Sequence, residues 1–166
     1  MTMILANLCV SQTLSQSITK YLSRYHEMPD KHALKDLNIF MSLNNLATIR
    51  EKQVTSNSFN ELLKHCKYPE KKELLSNFIL RILPKAKYSD VKAGHFGLDL
   101  PLYCHFTSPI RRYADLTVHR SLAFALKWEM DDSNFIEDHK AICQIINESE
   151  KKSVGAERES LDRYSA

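Results

Sequence analysis

His105-Phe106-Thr107-Ser108-Pro109-Ile110-Arg111-Arg112-Tyr113 decides how this chain is read, because it joins a helix-start signal to a pair of arginines. Ser108 is a good N-cap and Pro109 fits the first helical position, so the spacing predicts a helix opening here and running to about Lys127. The unpaired backbone N–H groups of such a start, with the positive end of the helix dipole, form a phosphate-sized anion site. Arg111 falls in that first turn, where a cation is disfavoured until an anion arrives.

The rest of the predicted helix sharpens the point. Ile110, Tyr113, Ala114, Val118, Phe124 and Ala125 share one face, while Leu116, Leu122, Ala123 and Leu126 spread around the other, which predicts burial on most sides. Arg111, Arg112, Asp115, His119 and Arg120 within it then need partners. Asp115 can pair with one of its neighbours at helical spacing, leaving more bases than acids. Phosphate recognition by Arg111 is favoured over a purely structural set of salt bridges. His105 and His95 read more naturally as hydrogen-bonded structural histidines than as metal ligands or bases, and His139 with Cys143 at i, i+4 is a weaker pair still. Thr107 and Ser108 beside His105 resemble a nucleophile, but capping needs fewer assumptions and no third partner is evident.

Outward from this segment the chain reads as mainly α with a short β segment. Three glycines and five prolines in 166 residues are too few for a turn-rich β sandwich, and a 43% hydrophobic composition suffices for one domain with a core. Ile4, Leu8, Ser11, Leu14, Ile18 and Leu22 lie on one stripe of an amphipathic first helix. A second helix is expected from Lys31 with Leu34, Leu37 and Met41, and Leu46 extends its spacing. Ala47 to Ser58 reads as a loop, and Ser58 is the expected cap of a helix carrying Phe59, Leu62, Leu63 and Cys66. Pro69 should open another with Leu74, Leu75, Phe78, Ile79 and Ile82, ended or kinked by Pro84. Alternation from Leu98 to Phe106 predicts one or two strands. After a polar loop at Asp131 to Asn134, a last helix should run from about Ile136 to Arg163 on the stripe Ile142, Ile145, Ile146, Ser149, Ser153 and Ala156. The charge pairs of Glu148 to Lys152 and Glu157 to Glu159 read as its solvated face.

A net charge of +3 does not identify a nucleic-acid binder, since affinity follows local clusters. Cys9, Cys66, Cys104 and Cys143 are widely spaced without a Cys-x-x-Cys pair, which fits reduced thiols in a cytoplasmic protein. No apolar run is long enough to span a bilayer, so no membrane partner is expected.

Gly94-His95-Phe96-Gly97-Leu98, followed by His105 to Tyr113 and then Asp115-Leu116, Val118-His119-Arg120, resembles the signature of the ribonuclease II superfamily, nearest to its bacterial ribonuclease R branch. Met3-Ile4-Leu5-Ala6-Asn7 resembles the family's helix after its metal-binding region, and Ala156-Glu157-Arg158-Glu159 its closing helix. The resemblance implies that residues 1–166 are a partial catalytic domain, the C-terminal half of the family's α/β catalytic domain, without cold-shock-like barrels or the trailing RNA-binding barrel. It implies hydrolysis of single-stranded RNA from the 3′ end to nucleoside 5′-monophosphates, with magnesium. Arg111 matches the family's active-site arginine and Glu157 an active-site glutamate, while His105, Thr107, Ser108 and Arg112 fall in the RNA-binding signature. The family's metal-binding aspartates lie upstream of the segment resembling residues 1–7, so no metal ligand is assigned here. Activity then needs a separately encoded N-terminal half; the alternative is an inactive RNA-binding remnant.

Overall fold

The computed structural model describes residues 2–17, 20–49, 54–128 and 138–165. It is mainly helical with one two-stranded sheet, in the order α1 (Thr2–Ser17), β1 (Ser23–Tyr25), α2 (Lys31–Leu43), α3 (Ser56–His65), α4 (Pro69–Ile82), β2 (Lys87–Ser89), a single 3-10 turn (Phe96–Leu98), α5 (Tyr113–Ala125) and α6 (His139–Ser165). Ile18, the Asp131–Asn134 loop and the expected helix start at Ile136 lie outside the described residues. The chain divides into two units, the first made of residues 1–25, 87–93 and 102–166, the second of 26–86 and 94–101.

The second unit follows the apolar spacing closely. Leu34, Leu37 and Met41 of α2, Phe59 of α3, and Leu75 and Ile79 of α4 bury together, with Leu46, Leu62 and Ile82 packed against them. Phe40 and Phe78 stack at 4.7 Å. Asp30 caps α2 by accepting the Ala33 N–H at 2.7 Å. Thr55, not Ser58, caps α3, and Ser58 serves as the returning member of a capping box. Pro69 opens α4 and the helix stops at Ile82, before Pro84.

The Gly94–Gly97 motif has a structural job in this unit. His26 donates from Nε2 to the Pro84 carbonyl at 2.6 Å and accepts the Gly97 N–H at Nδ1 at 2.8 Å, so both ring nitrogens are engaged. A Cβ at Gly97 would sit 2.9 Å from that Nδ1, and one at Gly94 3.1 Å from the Leu100 carbonyl oxygen. His95 caps the 3-10 turn by accepting the Leu98 N–H, and Asp99 closes it in the left-handed conformation at φ 56°.

The strand expectation for Leu98 to Phe106 is corrected. Tyr103 and Cys104 are both buried although consecutive, which no strand with one buried face allows. The sheet instead pairs β1 with β2 antiparallel in the register Ser23↔Ser89, Arg24↔Tyr88, Tyr25↔Lys87. Tyr103 lies beside it, its carbonyl accepting the Arg24 N–H at 2.8 Å.

The first unit is built around Leu14, Tyr21, Leu22, Tyr88, Cys104, Ala114, Val118 and Cys143. Its α1 stripe differs from expectation: Asn7, Ser11 and Leu14 are buried, whereas Ile4 is 42% exposed. α6 packs by its first turns only, through His139, Ile142, Cys143 and Ile146, and Ile145 faces outward. Asn147 ties it to β2, its Nδ2 donating to the Tyr88 carbonyl and its Oδ1 accepting the Tyr88 N–H.

Candidate phosphate-binding site

Arg111 belongs to a turn, not to the first turn of a helix. The N–H groups of Arg111 and Arg112 reach back to the Ser108 carbonyl, and α5 begins only at Tyr113, with Arg112 in extended conformation as its N-cap. Asp115 braces this turn. Its fully buried carboxylate accepts the Ser108 N–H at 2.8 Å and Arg112 Nη2 at 2.9 Å, both on Oδ1. Ser108 is thereby anchored by its backbone, and its side chain caps nothing. The anion site expected from a helix start at Pro109 is withdrawn with that start.

Four side chains from α1, β2 and α5 pin the irregular segment from Tyr103 to Arg112. Asn7 bridges it three ways: Nδ2 donates to the Tyr103 hydroxyl at 2.9 Å, Oδ1 accepts the Phe106 N–H at 3.0 Å, and its carbonyl accepts Cys104 Sγ–H at 3.4 Å. His119 of α5 donates from Nε2 to the Phe106 carbonyl at 2.8 Å while stacking on the Phe106 ring at 4.0 Å. His105 shares a 2.8 Å hydrogen bond between Nδ1 and the Tyr88 hydroxyl, with Tyr88 and Tyr103 edge-on to its ring. Burial pushes the Tyr88 phenol up to about 12, against the pull of the Arg24 guanidinium, which lies 4.4 Å over its ring and is itself paired with Glu150. Burial likewise pushes the Cys104 thiol up to about 12, helped by the Asp115 charge.

Against this scaffold Arg111 and Ile110 are exposed, and Thr107, Ser108 and Arg112 half-buried. Among the described residues Arg111 makes no side-chain hydrogen bond or ion pair, whereas Arg112 is committed to Asp115. The structure therefore brings His105, Thr107, Ser108, Arg111 and Arg112 onto one braced segment. It does not join Glu157 to them: that residue is exposed on the outer part of α6, with no ion pair among the described residues. α5 is less enclosed than expected, since Ala114, Asp115, Val118 and Ser121 are buried while Tyr113 and Leu116 open outward. Asn7 and Tyr88 escaped the sequence reading as parts of the site. For Asn7 the signal was a polar residue one turn ahead of Ser11 on the inward stripe; for Tyr88 there was none.

The RNB domain family model matches residues 1–128. The chain belongs to the RNB family. Ribonuclease R of Buchnera aphidicola subsp. Schizaphis graminum is 35% identical over 133 residues, covering 80% of this chain and 18% of that relative. Ribonuclease R of Aquifex aeolicus is 33% identical over 165 residues, covering 99% of the chain and 23% of the relative. The chain thus spans about a fifth of the length of these curated relatives. Among solved structures, Mycoplasma genitalium RNase R in complex with ribose-methylated single-stranded RNA superposes with a TM-score of 0.90 at 30% identity, over 99% of this chain and 27% of that one. Yeast Ssd1, a pseudonuclease, shares the fold at a TM-score of 0.73 and 22% identity, over 89% of this chain and 18% of that one. The fold is that of a partial RNB domain.

Among the described residues no three His, Cys, Asp or Glu side chains are grouped so that they could hold a metal ion. No described helix is long and apolar enough to cross a membrane.

Proposed function

We propose that this chain supplies the phosphate-binding side of a 3′→5′ exoribonuclease active site, with Arg111 taking a phosphate of single-stranded RNA. The observation that carries this reading is an exposed, uncommitted guanidinium on a segment braced from three elements. A planar fork of N–H donors on an already ordered segment meets a phosphate without ordering the backbone first, and it steadies charge that builds on the phosphate oxygens. The hydroxyls of Thr107 and Ser108 and the side chains of His105 and Arg112 flank it, and Glu157 is the second catalytic candidate. Hydrolysis to nucleoside 5′-monophosphates would draw on magnesium held by residues outside this chain, on a separately encoded N-terminal half of the domain, and the chain alone is inactive. The setting is cytoplasmic.

The test is binding of a labelled oligoribonucleotide to the full chain across a salt series. Arg111→Ala should weaken binding about tenfold, roughly 1.4 kcal/mol, and reduce the salt slope by about one phosphate contact. Equal affinity and slope for the two proteins would refute the role of Arg111. A second reading, an inactive RNA-binding remnant, is favoured by the lack of a metal-ligand cluster among the described residues. It is separated by adding the missing half: magnesium-dependent release of mononucleotides excludes it.

A further inference from the structure

Arg111 does not stand alone on its face of the turn. Arg112, the residue after it, is extended at φ −129° and ψ 114°, and its side chain runs inward to Asp115 Oδ1 at 2.9 Å. Side chains alternate along extended backbone, so Arg111 and Tyr113 point away from the Arg112 side chain and to the same side as each other. Exposure follows that alternation, with half-buried Arg112 between exposed Arg111 and exposed Tyr113. A guanidinium and a phenol ring therefore leave one face of the chain from Cα positions roughly 6–7 Å apart. The ring is 51% exposed, and among the described residues it makes no ring contact and its hydroxyl no hydrogen bond. Its footing is firm. Tyr113 opens α5, Ala114, Thr117 and Val118 behind it are buried, and Thr117 Oγ1 donates to the Tyr113 carbonyl at 3.2 Å.

We infer that Tyr113 is the stacking platform for a nucleobase of the strand whose phosphate Arg111 takes, so that the two side chains together hold one nucleotide step. The inference rests on the proposed function and deepens it by naming the residue that meets the base side of the strand. A lone exposed tyrosine is ordinary. This one shares a face with an uncommitted cation, and both stand on a turn that is already ordered. Cations that track the backbone and rings on which bases stack are the two parts of a surface for single-stranded nucleic acid. Tyrosine brings a large flat area at low entropy cost, because only two side-chain torsions have to be fixed. Every base offers a face in return, so the contact selects an unpaired strand and leaves base identity unread.

The experiment uses the full chain and two labelled oligomers of equal length, an oligoadenylate and its abasic ribose-phosphate counterpart. Tyr113→Leu keeps apolar bulk and helix propensity but removes the ring. It should weaken oligoadenylate binding at least about tenfold, while the salt slope and the affinity for the abasic oligomer stay at the parent's values. Tyr113→Phe keeps the ring and should bind oligoadenylate as the parent does. In the parent with ring-labelled tyrosine, the Tyr113 ring signals, assigned by their loss in Tyr113→Phe, should move upfield with oligoadenylate and stay in place with the abasic oligomer. That shift is read without any variant that could disturb folding. Parent affinity in Tyr113→Leu, equal losses in Tyr113→Leu and Tyr113→Phe, an equal loss with the abasic oligomer, or a parent that does not bind oligoadenylate each overturns the inference. Ring signals that move with protein concentration instead of RNA assign Tyr113 to a contact between copies and overturn it too. If Arg111→Ala keeps the parent's affinity and slope while Tyr113→Leu weakens only base-bearing RNA, the phosphate role of Arg111 fails and the stacking role stands; the reverse pattern removes the stacking role alone.

Discussion

Replacing Asp115 tests the architecture of the site more directly than replacing any residue on its surface. One fully buried carboxylate oxygen holds both the Ser108 N–H, at 2.8 Å, and Arg112 Nη2, at 2.9 Å, while the Arg112 side chain is 25% exposed. Asp115→Ala strands a backbone donor and a largely enclosed guanidinium at once, a loss of about 3–5 kcal/mol for breaking a buried pair from one side. Asp115→Asn keeps the shape and an acceptor for Ser108 but removes the counter-charge, so about 1.5–3 kcal/mol is expected, the range for a hydrogen bond to a charged group. In Asp115→Ala/Arg112→Met the second change removes the stranded cation, and the double variant should recover about 1–3 kcal/mol relative to additivity. Urea unfolding followed by far-ultraviolet circular dichroism reads the totals, and hydrogen exchange of the Ser108 amide reads the local event. That amide should exchange slowly in the parent and in Asp115→Asn and much faster in Asp115→Ala. If Asp115→Ala unfolds within about half a kcal/mol of the parent, the size of a neutral surface change, the carboxylate does not shape this turn.

Three further outcomes follow from the same geometry. Gly97→Ala places a methyl 2.9 Å from His26 Nδ1, and that ring is held on both nitrogens, so the second unit should lose about 1–3 kcal/mol in thermal or urea unfolding; a change below that range would show that His26 yields easily. Iodoacetamide at mildly alkaline pH should modify exposed Cys9 and spare Cys104 and Cys143, whose thiols burial pushes up to about 12 and about 11; equal labelling by mass spectrometry would contradict the burial. Because both thiols hold their protons more tightly when folded, stability should be constant below the ordinary thiol value near 9 and fall above it, by about 1.4 kcal/mol per pH unit per thiol, until the folded values are passed. Cys104→Ala should flatten that fall, and an unchanged profile would remove Cys104 as its source.

Helices α2, α3 and α4 were legible because each buries one apolar face against the others, so that spacing alone names the core. The sheet was not. Its strands are three residues each, and Ser23 meets Ser89 across sixty-six residues of sequence, a pairing that local pattern does not encode. In α1 the stripe was legible at Ser11 and Leu14, both buried as expected, but not at Asn7, which faces inward where Leu8 was expected because its side chain satisfies Tyr103 and Phe106. The Gly94–Gly97 motif entered the sequence reading as part of a functional signature, yet its glycines are required by the approach of the Leu100 carbonyl and the His26 ring.

The most instructive failure is the helix start. Ser108-Pro109 carries every local signal of one, and the chain does turn there, but the helix begins only at Tyr113, and a buried acid seven residues on holds the Ser108 N–H. That displacement changes what Arg111 is. Inside a helix start it would have been a cation held against a dipole, relying on an anion for relief. On a separate turn, with one carboxylate oxygen of Asp115 taken by Arg112 and Ser108, its side chain has no hydrogen-bond or ion-pair partner among the described residues. Its use to the protein must then come from where the turn points it. The bonds from Asn7, His119 and Tyr88 fix that direction. The variant that separates direction from charge is Asn7→Ala. It leaves Arg111 in place, removes two side-chain bonds to the segment, and should weaken RNA binding while keeping the salt slope of the parent, whereas Arg111→Ala lowers both. An Asn7→Ala protein that binds RNA as well as the parent would mean that the segment needs no bracing from α1.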